Sequence, residues 1–248
     1  MHEGLLPQVP LYRATIRGRS WGELLKGEGA YYTNGGRYNA IDQLTVYASD
    51  DPVVAISECC YYEARAAQSA IGNNFHPHPS TYPLVSENIL WCFTLVYPVM
   101  LIDLLSPLAR KAFSYGRSIL TIPSHDYGAT QHLASTIRGY PNPAKPIAGG
   151  LRAPSARAVN PHGAATQIVL FPRMGREIKA VKIERCNLTV QFLDDAGKPV
   201  TTETEYIDWS NPRIQIHGGN NAASLISGCL GGASIPRLSW QTIPIRFV

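Results

Sequence analysis

Four side chains stand out for the chemistry they could perform: Arg37, Tyr47, Glu58 and Ser155. Arg37 sits in Gly35-Gly36-Arg37-Tyr38-Asn39, where two glycines let the backbone turn tightly or approach a ligand closely. A planar guanidinium beyond such a turn offers a fork of donors matched to phosphate or carboxylate. Tyr47 ends a short apolar run, and its ring can stack on a flat heterocycle while its hydroxyl makes a polar contact. Glu58 interrupts a largely apolar stretch, so its carboxylate belongs either to a solvent stripe or to a pocket that holds it. Ser155 follows a proline and precedes Ala156-Arg157. Each also has an ordinary reading: an arginine after a turn, a core tyrosine, a surface glutamate, a turn serine.

Other chemistries lack their signatures. Ser155 stands in no Gly-x-Ser-x-Gly elbow, and neither glycine pair, 35–36 or 149–150, extends to a dinucleotide-binding or P-loop pattern. His76 and His78 have no acidic partner nearby, and the five cysteines show no zinc spacing, so no metal is expected. Adjacent Cys59 and Cys60 are expected to point to different faces as buried free thiols, bystanders to any chemistry. The net charge of +4, from 22 basic and 18 acidic side chains, suits an anionic small ligand such as a nucleotide. The arginines are scattered singly, so direct nucleic-acid binding is not expected. The 45% hydrophobic and 16% charged residues are those of a globular chain with a sparsely charged surface. The N-terminal residues lack the pattern of a secretory signal. Residues 89–105, the most apolar stretch, are broken by Tyr97-Pro98 and read as buried strands rather than a membrane span. A soluble cytoplasmic protein is the expectation.

Elements must carry these groups to one place. "PLYRATI" and residues 44–49 read as strands around the "NGGRYN" turn. Asp50 or Asp51 can cap a helix over 52–70 with Pro52 in its first turn. On that helix Glu58 and Glu63 point about 140° apart, so they cannot both face one pocket. Residues 71–88 read as a loop, followed by strands to about 104, a short helix from Ser106-Pro107 to Phe113, and another over 129–139 ending at Gly139. Residues 140–150 read as a Pro/Gly-rich loop and 167–171 as a strand. Composition changes after about residue 175, where successive strands are expected, with Asp195–Lys198 turning a hairpin.

Taken in order, "GGRYN", "VYAS", "AISE" and "APSARAVNPHG" resemble the blocks of the RES domain family, named for an Arg, a Glu and a Ser. Arg37, Tyr47 and Glu58 stand ten and eleven residues apart, matching the family's spacing, and "LYR" at Leu11–Arg13 resembles its start. The resemblance spans about residues 10–172; Tyr38 replaces the family's common Trp, and residues 71–88 look like an insertion. It implies an α+β fold, an ADP-ribosyltransferase-like mixed core of two packed small β-sheets with flanking helices. Residues 1–174 would form the catalytic domain and 175–248 a β-rich C-terminal extension. It further implies a toxin that degrades NAD by hydrolysis or phosphorolysis of the nicotinamide–ribose bond, with no cofactor beyond NAD as substrate and inorganic phosphate as an optional co-substrate. The implied partner is a cognate antitoxin of Xre type or an immunity protein, and a homo-oligomer is compatible with it. Arg37, Tyr47, Glu58 and Ser155 would be catalytic; Arg13, Gly36, Asn39, Asn160 and His162 would line the pocket. The same chemistry would also serve an ADP-ribosyltransferase acting on a protein, or an antibacterial effector delivered to a target cell's cytoplasm. A non-catalytic nucleic-acid-binding module is the reading from a different class, supported only by the basic balance.

Overall fold

Two five-stranded sheets pack face to face, and the side chains alternating along their strands decide which faces meet. The computed structural model describes residues 2–5, 9–16, 18–28, 35–60, 85–121, 127–142, 148–157, 165–173, 177–193, 196–199, 213–218 and 238–244. In chain order the elements are β1 (His2–Leu5), β2 (Leu11–Ile16), α1 (Trp21–Lys26), β3 (Val46–Ala48) and α2, helical over 52–60. Then come β4 (Val85–Leu95), β5 (Val99–Asp103), α3 (Pro107–Ala112), a 3₁₀ turn (Arg117–Thr121) and α4 (Gly128–Arg138). Strands β6 (Gly150–Pro154), β7 (Thr166–Leu170), β8 (Ala180–Leu193), β9 (Arg213–Gly218) and β10 (Leu238–Pro244) complete the set. The first sheet runs β1-β5-β6-β7-β3, with β5 and β6 parallel; the second runs β10-β9-β8-β4-β2 and is antiparallel throughout. The class is α+β, as expected.

The first sheet is covered on both faces, and successive residues go to opposite sides. Ile102, Leu151 and Val169 pack against Leu133, Ala134 and Ile137 of α4, together with Leu120 and Tyr38. Their neighbours Leu101, Ile168 and Leu170 turn the other way, onto Leu11, Phe93 and Leu95 of the second sheet. Strand β7 is therefore buried along its whole length, which explains its Ile-Val-Leu run. Each such side chain, fully buried, contributes about 1.5–3 kcal/mol.

Several elements depart from the sequence expectation. Residues 85–88, read as loop, begin β4 and pair with Leu188–Gln191 of β8. The successive strands expected after 175 begin with one continuous 14-residue strand, β8, placed between β4 and β9. Strand β6 begins on Gly150, the last residue of the stretch read as a Pro/Gly loop, and runs on through residues where no element is expected from sequence. Its Gly150 is required by crowding, because a Cβ there would strike the Val169 carbonyl and lie 2.8 Å from Leu101 Cδ2. Helix α1, also unforeseen, is fixed by a capping box in which Ser20 and Glu23 satisfy each other's backbone N–H. The helix expected over 52–70 is present over 52–60; its remainder lies outside the described residues.

Among the described residues, the two sheets are joined edge to edge at one point. Tyr12 of β2 and Ser49, just beyond β3, exchange backbone hydrogen bonds of 2.7 and 2.9 Å. Arg13 and Tyr47 are thereby brought to the same junction, with α2 leaving immediately after it.

Candidate active site

A cavity of about 350 Å³ opens at this junction, at the small end of the ~300–1,000 Å³ typical of ligand sites. Arg13, Gly36, Arg37, Asn39, Tyr47 and Glu58 all line it. Ser155 is not among the lining residues but stands directly behind Glu58.

The 35–39 turn forms one wall. Gly35 has φ +83°, and Gly36 and Asn39 exchange backbone hydrogen bonds of 3.0 and 3.4 Å. The Tyr47 hydroxyl closes the turn, donating to Asn39 Oδ1 at 2.6 Å and accepting from the Tyr38 amide at 2.9 Å. A Cβ on Gly36 would lie 2.7 Å from both the Tyr47 hydroxyl and Asn39 Oδ1, so only glycine fits. Gln131 of α4 donates to the Gly36 carbonyl at 3.0 Å and ties the turn to the helical layer. Arg37 is 6% exposed. Its Nη1 donates to the Leu120 carbonyl at 3.3 Å, its guanidinium lies 5.1 Å over the Tyr127 ring, and its Nη2 is buried with no hydrogen-bond partner.

The opposite group is set by α2. The Asp51 carboxylate accepts from the Val53 amide at 2.8 Å and starts the helix. Ile56 and Cys60 go into the core, while Val54, Glu58 and Cys59 reach the cavity. The two cysteines point apart, Cys60 buried and Cys59 on the cavity wall. Ser155, at the end of β6, donates through Oγ to Glu58 Oε1 at 2.5 Å and accepts from the Arg157 amide at 3.2 Å. Asp50 braces the same corner, accepting from Arg152 at 2.9 Å and from Thr166 at 2.8 Å.

Burial shapes the electrostatics. Desolvation lowers the Arg13 guanidinium to about 10, still cationic near neutral pH, and its Nη1 donates to the Leu24 carbonyl at 3.1 Å. Desolvation also raises the Tyr47 phenol above its ordinary range, so it acts as a neutral donor and acceptor and not as a base. Arg13, Arg19, Arg37 and Arg157 face the cavity against Glu23 and Glu58, a cationic balance suited to an anionic ligand.

Asn160 and His162 lie outside the described residues, as does Glu63. The structure adds Tyr127, Arg157 and Gln167 to the lining. Arg157 stands two residues after Ser155 within the same motif, whereas nothing local in the sequence marks Tyr127. Among the described residues, no group of three or more His, Cys, Asp or Glu is placed to hold a metal, and no helix is long and apolar enough to cross a membrane.

Comparison with known proteins gives a match of the RES domain to residues 10–193. No curated protein matches the chain. The crystal structure of the M. tuberculosis MbcT-MbcA toxin-antitoxin complex is similar over 70% of this chain and 83% of that chain, at 19% identity and a TM-score of 0.45.

Proposed function

The chain belongs to the RES domain family, and on that premise we propose that it cleaves the nicotinamide–ribose bond of NAD. The observation that carries this reading is the Ser155–Glu58 hydrogen bond of 2.5 Å beside a cavity that also holds Arg37 and Tyr47. Residues spread from 37 to 155 thus converge on one carboxylate and one incompletely paired guanidinium.

The reaction needs little from a general acid, because nicotinamide leaves as a neutral base from an already cationic ring. As the glycosidic C–N bond breaks, its electron pair stays on the nicotinamide nitrogen and positive charge develops at the ribose carbon. The site must hold the ribose and stabilise that charge. Glu58, with one oxygen fixed by Ser155, binds the ribose hydroxyls and places its negative charge beside the developing cation. Water then adds to the ribose carbon and loses a proton, giving ADP-ribose; inorganic phosphate in its place gives the 1″-phosphate. Arg37, with Nη2 unpartnered, takes the pyrophosphate, and Tyr47 keeps the arginine-bearing turn closed. Ser155 serves by orienting Glu58. The biological role that follows is NAD depletion in the cytoplasm by the toxin of a toxin–antitoxin pair, with an Xre-type antitoxin as its partner.

Purified protein incubated with NAD, with and without inorganic phosphate, and analysed by mass tests this directly. Free nicotinamide with ADP-ribose or its 1″-phosphate is the expected outcome. A protein carrying added ADP-ribose would move the acceptor to a macromolecule, and unchanged NAD would defeat the proposal.

A further inference from the structure

Tyr127, immediately before α4, contacts both arginines on its side of the cavity. Its ring lies 5.1 Å from the Arg37 guanidinium, and its hydroxyl accepts from Arg157 Nη2 at 3.3 Å. Both arginines are nearly inaccessible, at 6% and 2% exposure, and both line the cavity, as does Tyr127 itself. A buried guanidinium is costly without a partner, and Nη2 of Arg37 has none. The arrangement is also continuous with the carboxylate. The Arg157 amide donates to Ser155 Oγ, and Ser155 donates to Glu58. Five residues from four parts of the chain therefore form one chain of contacts, Arg37–Tyr127–Arg157–Ser155–Glu58, with Tyr127 at its only aromatic link.

We propose that Tyr127 is a positioning residue that fixes Arg37 through its ring and Arg157 through its hydroxyl, making the two guanidiniums a single diphosphate-binding surface. The assignment rests on the NAD reading for its substrate but not for its ligand chemistry, since any nucleoside diphosphate presents the same two phosphates. The π face and the hydroxyl of this one side chain hold two like charges on the same side of the cavity. Phosphate contacts made equally in ground and transition states alter KM rather than kcat. Tyr127 should therefore govern affinity, while Glu58 governs rate.

The test uses the full chain with Tyr127→Phe and Tyr127→Leu, titrated with ADP by calorimetry and assayed with NAD. Tyr127→Phe keeps the ring and removes the hydroxyl that meets Arg157, so ADP affinity should fall about three- to tenfold. Tyr127→Leu removes both holds and should cost about ten- to thirtyfold, with KM for NAD rising in parallel and kcat changing less than about twofold. Product inhibition by nicotinamide, which carries no phosphate, should be unaltered in both variants. A merely structural role would instead lower kcat and the melting temperature with KM and ADP affinity unmoved, and that result overturns the proposal. Wild-type protein that binds ADP but leaves NAD intact would defeat the enzymatic reading, and the ADP titrations would still decide the role of Tyr127. Wild-type protein that consumes NAD, with unchanged ADP affinity in Tyr127→Leu, would defeat this inference alone.

Discussion

The two walls of the cavity are built in opposite ways. The turn that carries Arg37 is closed locally: Gly35, Gly36, Tyr38, Asn39 and Tyr47 lie within thirteen consecutive residues and satisfy one another's polar groups. Leu120 and Gln131 brace it from 83 and 95 positions away. The carboxylate wall depends on a hydrogen bond between residues 97 positions apart, Glu58 and Ser155. A local wall is preorganised once its turn forms, whereas a long-range one exists only when β6, β7 and α2 are all in place. The first should respond to substitutions as a unit of structure and the second as a unit of chemistry.

Glu58→Gln is the sharpest way to test that division. It keeps the size of the side chain and its acceptor oxygen for Ser155 but removes the charge. NAD consumption should fall about 10²–10³-fold, equivalent to about 3–4 kcal/mol of transition-state stabilisation. Melting temperature should shift by no more than a few degrees. An equal loss of stability and rate would show that this wall is structural after all.

Gly36→Ala attacks the other wall. The added Cβ meets the Tyr47 hydroxyl and Asn39 Oδ1 at 2.7 Å, and neither can retreat without breaking the turn's hydrogen bonds. Overpacking of this kind costs about 1–3 kcal/mol of stability. Thermal unfolding should register that loss, and activity should fall with it because Arg37 is carried on the same turn. A stable Gly36→Ala protein with wild-type melting would show that the turn is more adaptable than its geometry indicates.

Ser155→Ala separates orientation from contact. The alanine removes the donor to Glu58 and the acceptor for the Arg157 amide, so kcat should fall about ten- to a hundredfold. If Ser155 acts only through Glu58, then Glu58→Gln with Ser155→Ala should be no slower than Glu58→Gln alone. Two residues acting as one unit do not add. Additive losses would instead place Ser155 in direct contact with the substrate.

The contrast also explains what could be read before the structure. The arginine wall was legible because glycine pairs, a following arginine and an aromatic ten residues on encode their own geometry. Glu58 was legible through its spacing, whereas Glu63 lies outside the described residues. Strand β6 was not, because Gly150 and Pro154 are loop residues by propensity, and only the squeeze between β5 and β7 makes glycine the strand residue there. Tyr127 was equally hidden: its importance lies in partners 90 residues before it and 30 after, Arg37 and Arg157. The length of β8 is set by its register along all of β4 and not by its own turn signals.

The smallest expected effect concerns Tyr47, a half-buried phenol on the local wall. Its pKa is raised from 10.0, first by desolvation and further by Tyr127 and Glu58, against lowering by the Tyr38 amide and Arg138. A raised acid pKa means that the unfolded chain releases its proton first. The contribution to stability is therefore whole below about pH 10 and is lost progressively as pH rises above it, by up to about 1.4 kcal/mol per pH unit. Thermal melting should fall above pH 10 and remain unaffected by this group below it. Tyr47→Phe leaves the Tyr38 amide and Asn39 without their hydroxyl partner, so it should be less stable at neutral pH yet show a shallower alkaline decline. If the two proteins lose stability in parallel above pH 10, the phenol titrates alike in both states. The local wall would then be open to water rather than sealed by its own turn.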